Sequence, residues 1–177
     1  VEGVAPSHPG HLVLAGPSVA SVDDDPEGAD VLADVWARWR SLPYSMRRRV
    51  TLACLPMDDL DENAVMVNAL QRRSAIVVQK SLAEGFGLTV AEAMIKSRPV
   101  VASNVGGIAD QITDGMTGLL VQDPTDLGAF AECVGTILGG EALASRLGEA
   151  AYRRAVDELL VDSHLAHWLE VVRRLVA

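Results

Sequence analysis

A chain of 177 residues, 49% hydrophobic and 22% charged, is long enough to bury the core of about one globular domain. Its formal net charge of −9 argues against a non-specific nucleic-acid binder, which needs a basic face, but not against a local phosphate site. Cys54 and Cys133 have no paired spacing, His8, His11, His164 and His167 form no ligand cluster, and no apolar run approaches the ~20 residues of a membrane span. The first residues carry no signal-peptide pattern, so the expectation is a cytoplasmic protein with no disulfide framework, metal, membrane or nucleic-acid partner.

His11 to Gly16 reads as a short buried strand closed by a turn glycine, and Ser18 to Ala29 as an acidic loop. Within that loop Asp23-Asp24-Asp25-Pro26 reads as a solvated stretch rather than a calcium site. Val31, Leu32, Val35, Trp36 and Trp39 predict a helix over Asp30 to Ser41, with both tryptophans packing and Pro43 as terminator. Arg47-Arg48-Arg49 reads as a solvated turn before a strand over Val50 to Leu55. Helix Asp61 to Arg73, strand Ala75 to Gln79, helix Thr89 to Lys96 and strand Pro99 to Ala102 follow. Lys96 then reads as a charge compensating its helix C-terminus. A short helix over Ile108 to Ile112, a strand over Gly118 to Val121 and helices over Asp126 to Leu138, Glu141 to Val156 and Ser163 to Val176 complete the chain. His164 and His167, three apart on the last helix, would need further ligands to hold a metal.

Continuously apolar strands alternating with helices predict an α/β fold: a Rossmann-like parallel sheet with helices on both faces and extra helices at the C-terminal end. The expectation is one domain over residues 1–177. Val1 to Gly10 offers no strand, so the pattern starts midway and hints at a fragment without its first strand-helix unit. Sheet edges left by such a missing unit could promote pairing into a homo-oligomer. Ligands of parallel sheets bind beyond the strand C-terminal ends, which singles out the loops Lys80 to Leu88 and Ser103 to Gly107.

The first of these loops carries Glu84-Gly85-Phe86-Gly87 and runs into a helix. Gly85 and Gly87 let the backbone come close to a ligand, and the helix start offers free N–H groups and partial positive charge to a phosphate. Glu84 precedes the glycines, where it would face the reactive end of a ligand; it also reads as a solvated loop carboxylate. Glu92, eight residues on, can accept bonds from a vicinal diol or simply favour the helix dipole. Lys80, at a strand end, reads as a charge near a phosphate or as a solvated loop lysine. Gly106 and Gly107 let the second loop approach a ligand or form a plain turn.

Ala75 to Met94 resembles the Glu-x7-Glu segment of retaining nucleotide-sugar glycosyltransferases built from two Rossmann-like domains, the GT-B fold. The likeness runs from about Leu12 to Leu138, over the C-terminal, donor-binding domain of that fold. It implies that Glu84 lies by the transferred sugar, that amides of Gly85 to Gly87 bind sugar hydroxyls, and that Glu92 holds the ribose. Phe86, Leu88 and Thr89 join them as nucleotide-sugar-binding positions, with Gly106 and Gly107, while Glu84 and Lys80 are the implied catalytic pair. Asn68-Ala69-Leu70-Gln71-Arg72, Val78-Gln79-Lys80-Ser81 and Val105-Gly106-Gly107-Ile108-Ala109-Asp110-Gln111-Ile112 are similar to strings of the trehalose synthase and trehalose phosphorylase branch. Two departures stand out: many relatives have Glu where Asp110 or Gln111 stands, and Gly, suited to a left-handed helix end, where Ser97 stands.

The resemblance implies transfer of glucose from a nucleoside-diphosphate glucose to glucose or another sugar acceptor, with retention, giving trehalose and using no cofactor or catalytic metal. It also implies that an Arg and Lys pair and an N-terminal acceptor domain are absent here, so this chain alone should not turn over. Two other readings stand beside it. One is a phosphorylase that cleaves trehalose with inorganic phosphate. The other is a non-catalytic Rossmann-like binding or interaction module.

Overall fold

Eight α-helices and five strands are present among residues 10–18 and 26–176, which the computed structural model describes. In chain order they are β1 (Leu12–Pro17), α1 (Pro26–Ser41), α2 (Tyr44–Arg47), β2 (Val50–Leu55), α3 (Leu60–Arg73), β3 (Val77–Gln79), α4 (Leu88–Ile95) and β4 (Val100–Ser103). Then come α5 (Gly106–Gln111), β5 (Leu119–Val121), α6 (Leu127–Leu138), α7 (Glu141–Arg154), a π-helical turn (Ala155–Leu159) and α8 (Val161–Val176). Every strand expected from an apolar run forms, and every strand pairing is parallel. His8 and the Asp23-Asp24-Asp25 stretch lie outside the described residues, as do the side chains of His164 and His167.

The chain divides into two compact units between Leu70 and Gln71. The first holds a two-stranded sheet in which Leu12 to Pro17 pair in step with Val50 to Leu55. Val50 and Leu55 are buried at the two ends of β2. The tryptophans of α1 do pack: their rings meet edge to face at 5.5 Å, and Trp39 Nε1 donates to the Val50 carbonyl at 2.8 Å. The arginine run is more than a solvated turn. Arg47 lies 5.3 Å from the centre of the Trp39 ring, and Arg49 Nε donates to the Gly10 carbonyl at 3.0 Å. The short helix α2, which apolar periodicity did not announce, starts at Pro43, whose carbonyl accepts from Met46 and Arg47, each at 2.9 Å. At the start of α3, Asp59 Oδ1 accepts from the amides of Asp61 and Glu62, both at 3.0 Å.

The second unit is built on the parallel sheet β3-β4-β5. Its central strand β4 is buried along its whole length, and alternate side chains enter opposite faces. Val100 and Ala102 join Val77, Val90, Met94, Ile108 and Ala151 in one core cluster. Val101 joins Val121, Phe130, Ile137 and Leu147 in the other. Helices therefore cover both faces of this sheet, as the apolar runs of its strands require. Asp126 caps α6 by accepting from the Ala129 amide at 2.9 Å.

The end of α4 has a specific geometry. Ser97 takes φ 55°, the left-handed conformation. The Ser97 amide bonds the Met94 carbonyl and the Arg98 amide the Ala93 carbonyl, both at 2.9 Å. Helix α7 crosses this turn at Gly148, where a Cβ would lie 2.3 Å from the Ser97 carbonyl oxygen. The glycine lets one backbone rest directly on the other.

Candidate active site

Gln79, the last residue of β3, starts a polar relay into the loop that leads to α4. Its Nε2 donates to Ser81 Oγ at 3.0 Å, and Ser81 Oγ donates to Glu84 Oε2 at 3.2 Å. Glu84 is half-buried, and the relay holds its carboxylate. Gln79 and Ser81 were visible only as part of a family-like string, with no role attached to either.

Beyond Glu84 the chain is open on one side and tightly packed on the other. A Cβ on Gly85 would meet nothing within 4 Å, and the Phe86 ring is 49% exposed. Leu88 and Thr89, in the first turn of α4, are exposed as well. Gly87 is the N-cap of that helix, with φ 88°, and no side chain caps it. Its carbonyl accepts from the amides of Val90 at 2.9 Å and Ala91 at 3.3 Å, so the amides of Leu88 and Thr89, which precede the first helical bond, have no acceptor within the helix.

The packed side is made by the start of α5. A Cβ on Gly106 would fall 1.7 Å from the Glu84 carbonyl oxygen, and one on Gly107 would fall 2.5 Å from that of Gly85. The Gly107 amide donates to the Gly85 carbonyl at 3.0 Å. Gln111, buried one turn further on, donates through Nε2 to the Phe86 carbonyl. The structure thus brings Glu84, Gly85, Phe86, Gly87, Gly106 and Gly107 together as two interlocked backbone segments. Gln111 is a clamp on the loop, a role its amide in an apolar stripe did not signal.

Glu92 and Lys80 have other partners. Glu92 Oε2 accepts from Gln71 Nε2 at 3.1 Å and lies 4.0 Å from Lys96 Nζ. Lys96 Nζ also donates to Gln71 Oε1, so Lys96 serves a side-chain network as well as its helix end. Burial pushes the Lys96 ammonium below its ordinary pKa; the Glu92 carboxylate opposes that shift and the Arg72 guanidinium adds to it. Lys80 Nζ stands 6.0 Å from the centre of the Phe130 ring. Its charge is a minor cause of the lowered pKa of Asp123, which chiefly reflects two hydrogen bonds from Thr125. Among the described residues no three His, Cys, Asp or Glu side chains converge in a way that could hold a metal ion. No single described helix is long and apolar enough to cross a membrane.

A parallel sheet with helices on both faces, a glycine loop at a strand C-terminal end and a helix starting behind it define a ligand-binding α/β unit. The chain belongs to the glycosyl transferases group 1 family, whose model matches residues 62–154. A trehalose synthase of Thermococcus litoralis is 42% identical over 106 residues, which is 60% of this chain and 25% of that protein. A trehalose phosphorylase of Pleurotus pulmonarius is 31% identical over 164 residues, 92% of this chain and 21% of that protein. The chain therefore spans a quarter or less of these curated relatives. In structure it is similar to sucrose-phosphate synthase from Thermosynechococcus elongatus, with TM-score 0.73, 28% identity, and coverage of 94% of this chain and 38% of that one. It shares its fold with Anabaena HepE, solved in complex with UDP, at TM-score 0.72 and 19% identity, over 97% of this chain and 42% of that one. The glycosyltransferase fold and the likeness to the trehalose synthase and phosphorylase branch, both expected from the sequence, are borne out.

Proposed function

We propose that this chain is the donor-binding part of a retaining glycosyltransferase that moves glucose from a nucleoside-diphosphate glucose to glucose, giving trehalose. The observation that carries the proposal is the loop Glu84–Gly87. It is locked from behind by Gly106 and Gly107 and open in front at Gly85, beside the N-terminal amides of α4, which no side chain caps. The 42% identity to a trehalose synthase supports the choice of sugar, and a fold neighbour solved with UDP supports a nucleoside diphosphate as leaving group. In this reading Glu84 lies by the transferred sugar and the amides of the glycine loop bind its hydroxyls. Glu92 takes the ribose hydroxyls. Negative charge that develops on the departing diphosphate is met by the amides that open α4, fixed donors that need no reorganisation during the step, and by the exposed Lys80 ammonium. No metal takes part.

The second reading is a phosphorylase that cleaves trehalose with inorganic phosphate. It is favoured by one observation: the likeness to a trehalose phosphorylase extends over 92% of the chain, against 60% for the synthase. Assaying the whole glycosyltransferase of which this chain is the donor-binding part, for trehalose made from glucose and a panel of nucleoside-diphosphate glucoses and for glucose 1-phosphate made from trehalose and phosphate, separates the two. Trehalose from a nucleotide donor, unchanged by a chelator, is the expected result. Glucose 1-phosphate alone would replace the first reading by the second. Neither product, with no nucleoside diphosphate bound in a calorimetric titration, would leave a non-catalytic module.

A further inference from the structure

The string Asn68-Ala69-Leu70-Gln71-Arg72 has no role in the reading above, yet Gln71 is the best-buried member of the network around Glu92. It is 6% exposed and presents both ends of its amide to charged groups. Its Nε2 donates to Glu92 Oε2 at 3.1 Å, and its Oε1 accepts from Lys96 Nζ. The Lys96 ammonium closes the triangle 4.0 Å from the same Glu92 oxygen, with its side chain 13% exposed against 47% for Glu92. Both contacts made to Glu92 fall on Oε2. The Glu92 side chain is therefore tethered at one oxygen while nearly half of it stays exposed.

We propose that Gln71 and Lys96 are positioning residues for Glu92: they fix its carboxylate through one oxygen so that the other receives the vicinal diol of a ribose. The proposal rests on the donor-site reading of Glu92 and adds to it the device that makes the carboxylate selective. An exposed glutamate on a helix surface samples several rotamers, and ordering it on binding costs affinity. Gln71 removes that cost in advance. Its buried amide has a fixed orientation, because Lys96 can only donate to the oxygen end and Glu92 can only accept from the nitrogen end. The lysine adds an attraction in the favourable order, Glu four residues before Lys.

The test is a calorimetric titration of the protein with UDP, ADP and GDP and with their 2′-deoxy counterparts, using the tightest-binding pair. Gln71→Leu is expected to weaken the ribonucleotide about tenfold while the deoxynucleotide changes less than about twofold. Glu92→Ala should give the same pattern, and the double variant should equal Glu92→Ala alone, since Gln71 acts only through Glu92. Lys96→Gln, which keeps a donor for the Gln71 oxygen, should move the ribonucleotide in the same direction by about threefold. A role in folding alone would weaken both nucleotides equally, or add in full to Glu92→Ala, and either result overturns the proposal. Should Gln71→Leu fail to fold, Lys96→Gln decides by the same ratio. If the protein binds no nucleotide, or Glu92→Ala is silent, the donor-site reading itself falls. If Glu92→Ala abolishes the discrimination and the Gln71 and Lys96 variants leave it intact, only the positioning role falls.

Discussion

Gly85 and Gly106 sit in two loops that touch, and they are glycines for opposite reasons. At Gly106, with φ 48°, the Glu84 carbonyl oxygen already occupies the place of a side chain, 1.7 Å from where a Cβ would be. At Gly85 nothing lies within 4 Å of that place. One glycine is required by the chain's own packing; the other leaves room that the chain does not use. The difference teaches where a ligand can approach. A loop locked on the side of α5 and open on the side of Gly85 can hold its amides still and still admit a substrate. Such preorganised donors are what stabilise charge developing in a transition state.

The strongest way to break this comparison is Gly106→Ala. The methyl group must displace backbone rather than a flexible side-chain tip, and the left-handed conformation adds its own strain. The expected loss is about 3 kcal/mol of stability, read from the midpoint of a urea melt, together with loss of nucleotide binding. A variant that melts with the native protein would mean that the two loops are not interlocked.

The sequence announces the scaffold of this arrangement better than its locks. The apolar run Val100-Val101 reads as a strand covered on both faces and is buried on both, whereas the equally apolar Ile76-Val77-Val78 forms its strand but leaves Val78 42% exposed. The segment from Glu84 to Glu92 declares a ligand loop through its glycines and the helix behind them. Pairing is different, since the division of the strands into β1-β2 and β3-β4-β5 depends on partners distant in the chain. The same holds for the amides. Gln71 meets Glu92 across 21 residues and Gln111 meets Phe86 across 25, and a glutamine in a helix carries no mark of what it will hold. Lys96 shows how local reasoning can be right and incomplete. Its place at a helix end suggested the dipole, while its side chain reaches Gln71 and Glu92.

Ser97 extends the comparison to a third position, one where glycine would fit and is not used. It closes α4 with φ 55°, a conformation that costs a residue with a Cβ about 1–2 kcal/mol. Glycine removes that strain but loses more backbone freedom on folding, about 0.5–1 kcal/mol. Ser97→Gly should therefore stabilise the protein by about 0.5–1 kcal/mol, seen as a higher denaturation midpoint, with nucleotide affinity unchanged. A lower midpoint would show that the serine side chain makes up for its backbone.

The smallest effect on stability belongs to Gly85→Ala, and it is the sharpest test of the site. With open space at the Cβ position, the substitution should leave the denaturation midpoint within about 0.5 kcal/mol of the native value. Its effect should appear instead on binding. If the amides of Gly85 to Gly87 meet a sugar, a methyl group facing that sugar holds the ligand away from them. Affinity for a nucleoside-diphosphate glucose should then fall by about tenfold or more, while affinity for the nucleoside diphosphate alone stays within about twofold, because the proposed site gives the diphosphate and ribose to α4. That split places the sugar, and not the nucleotide, over Gly85. Equal losses for both ligands would move the nucleotide itself onto the loop. No loss for either would mean that the open space at Gly85 faces only water, and that the front of the site lies elsewhere along α4.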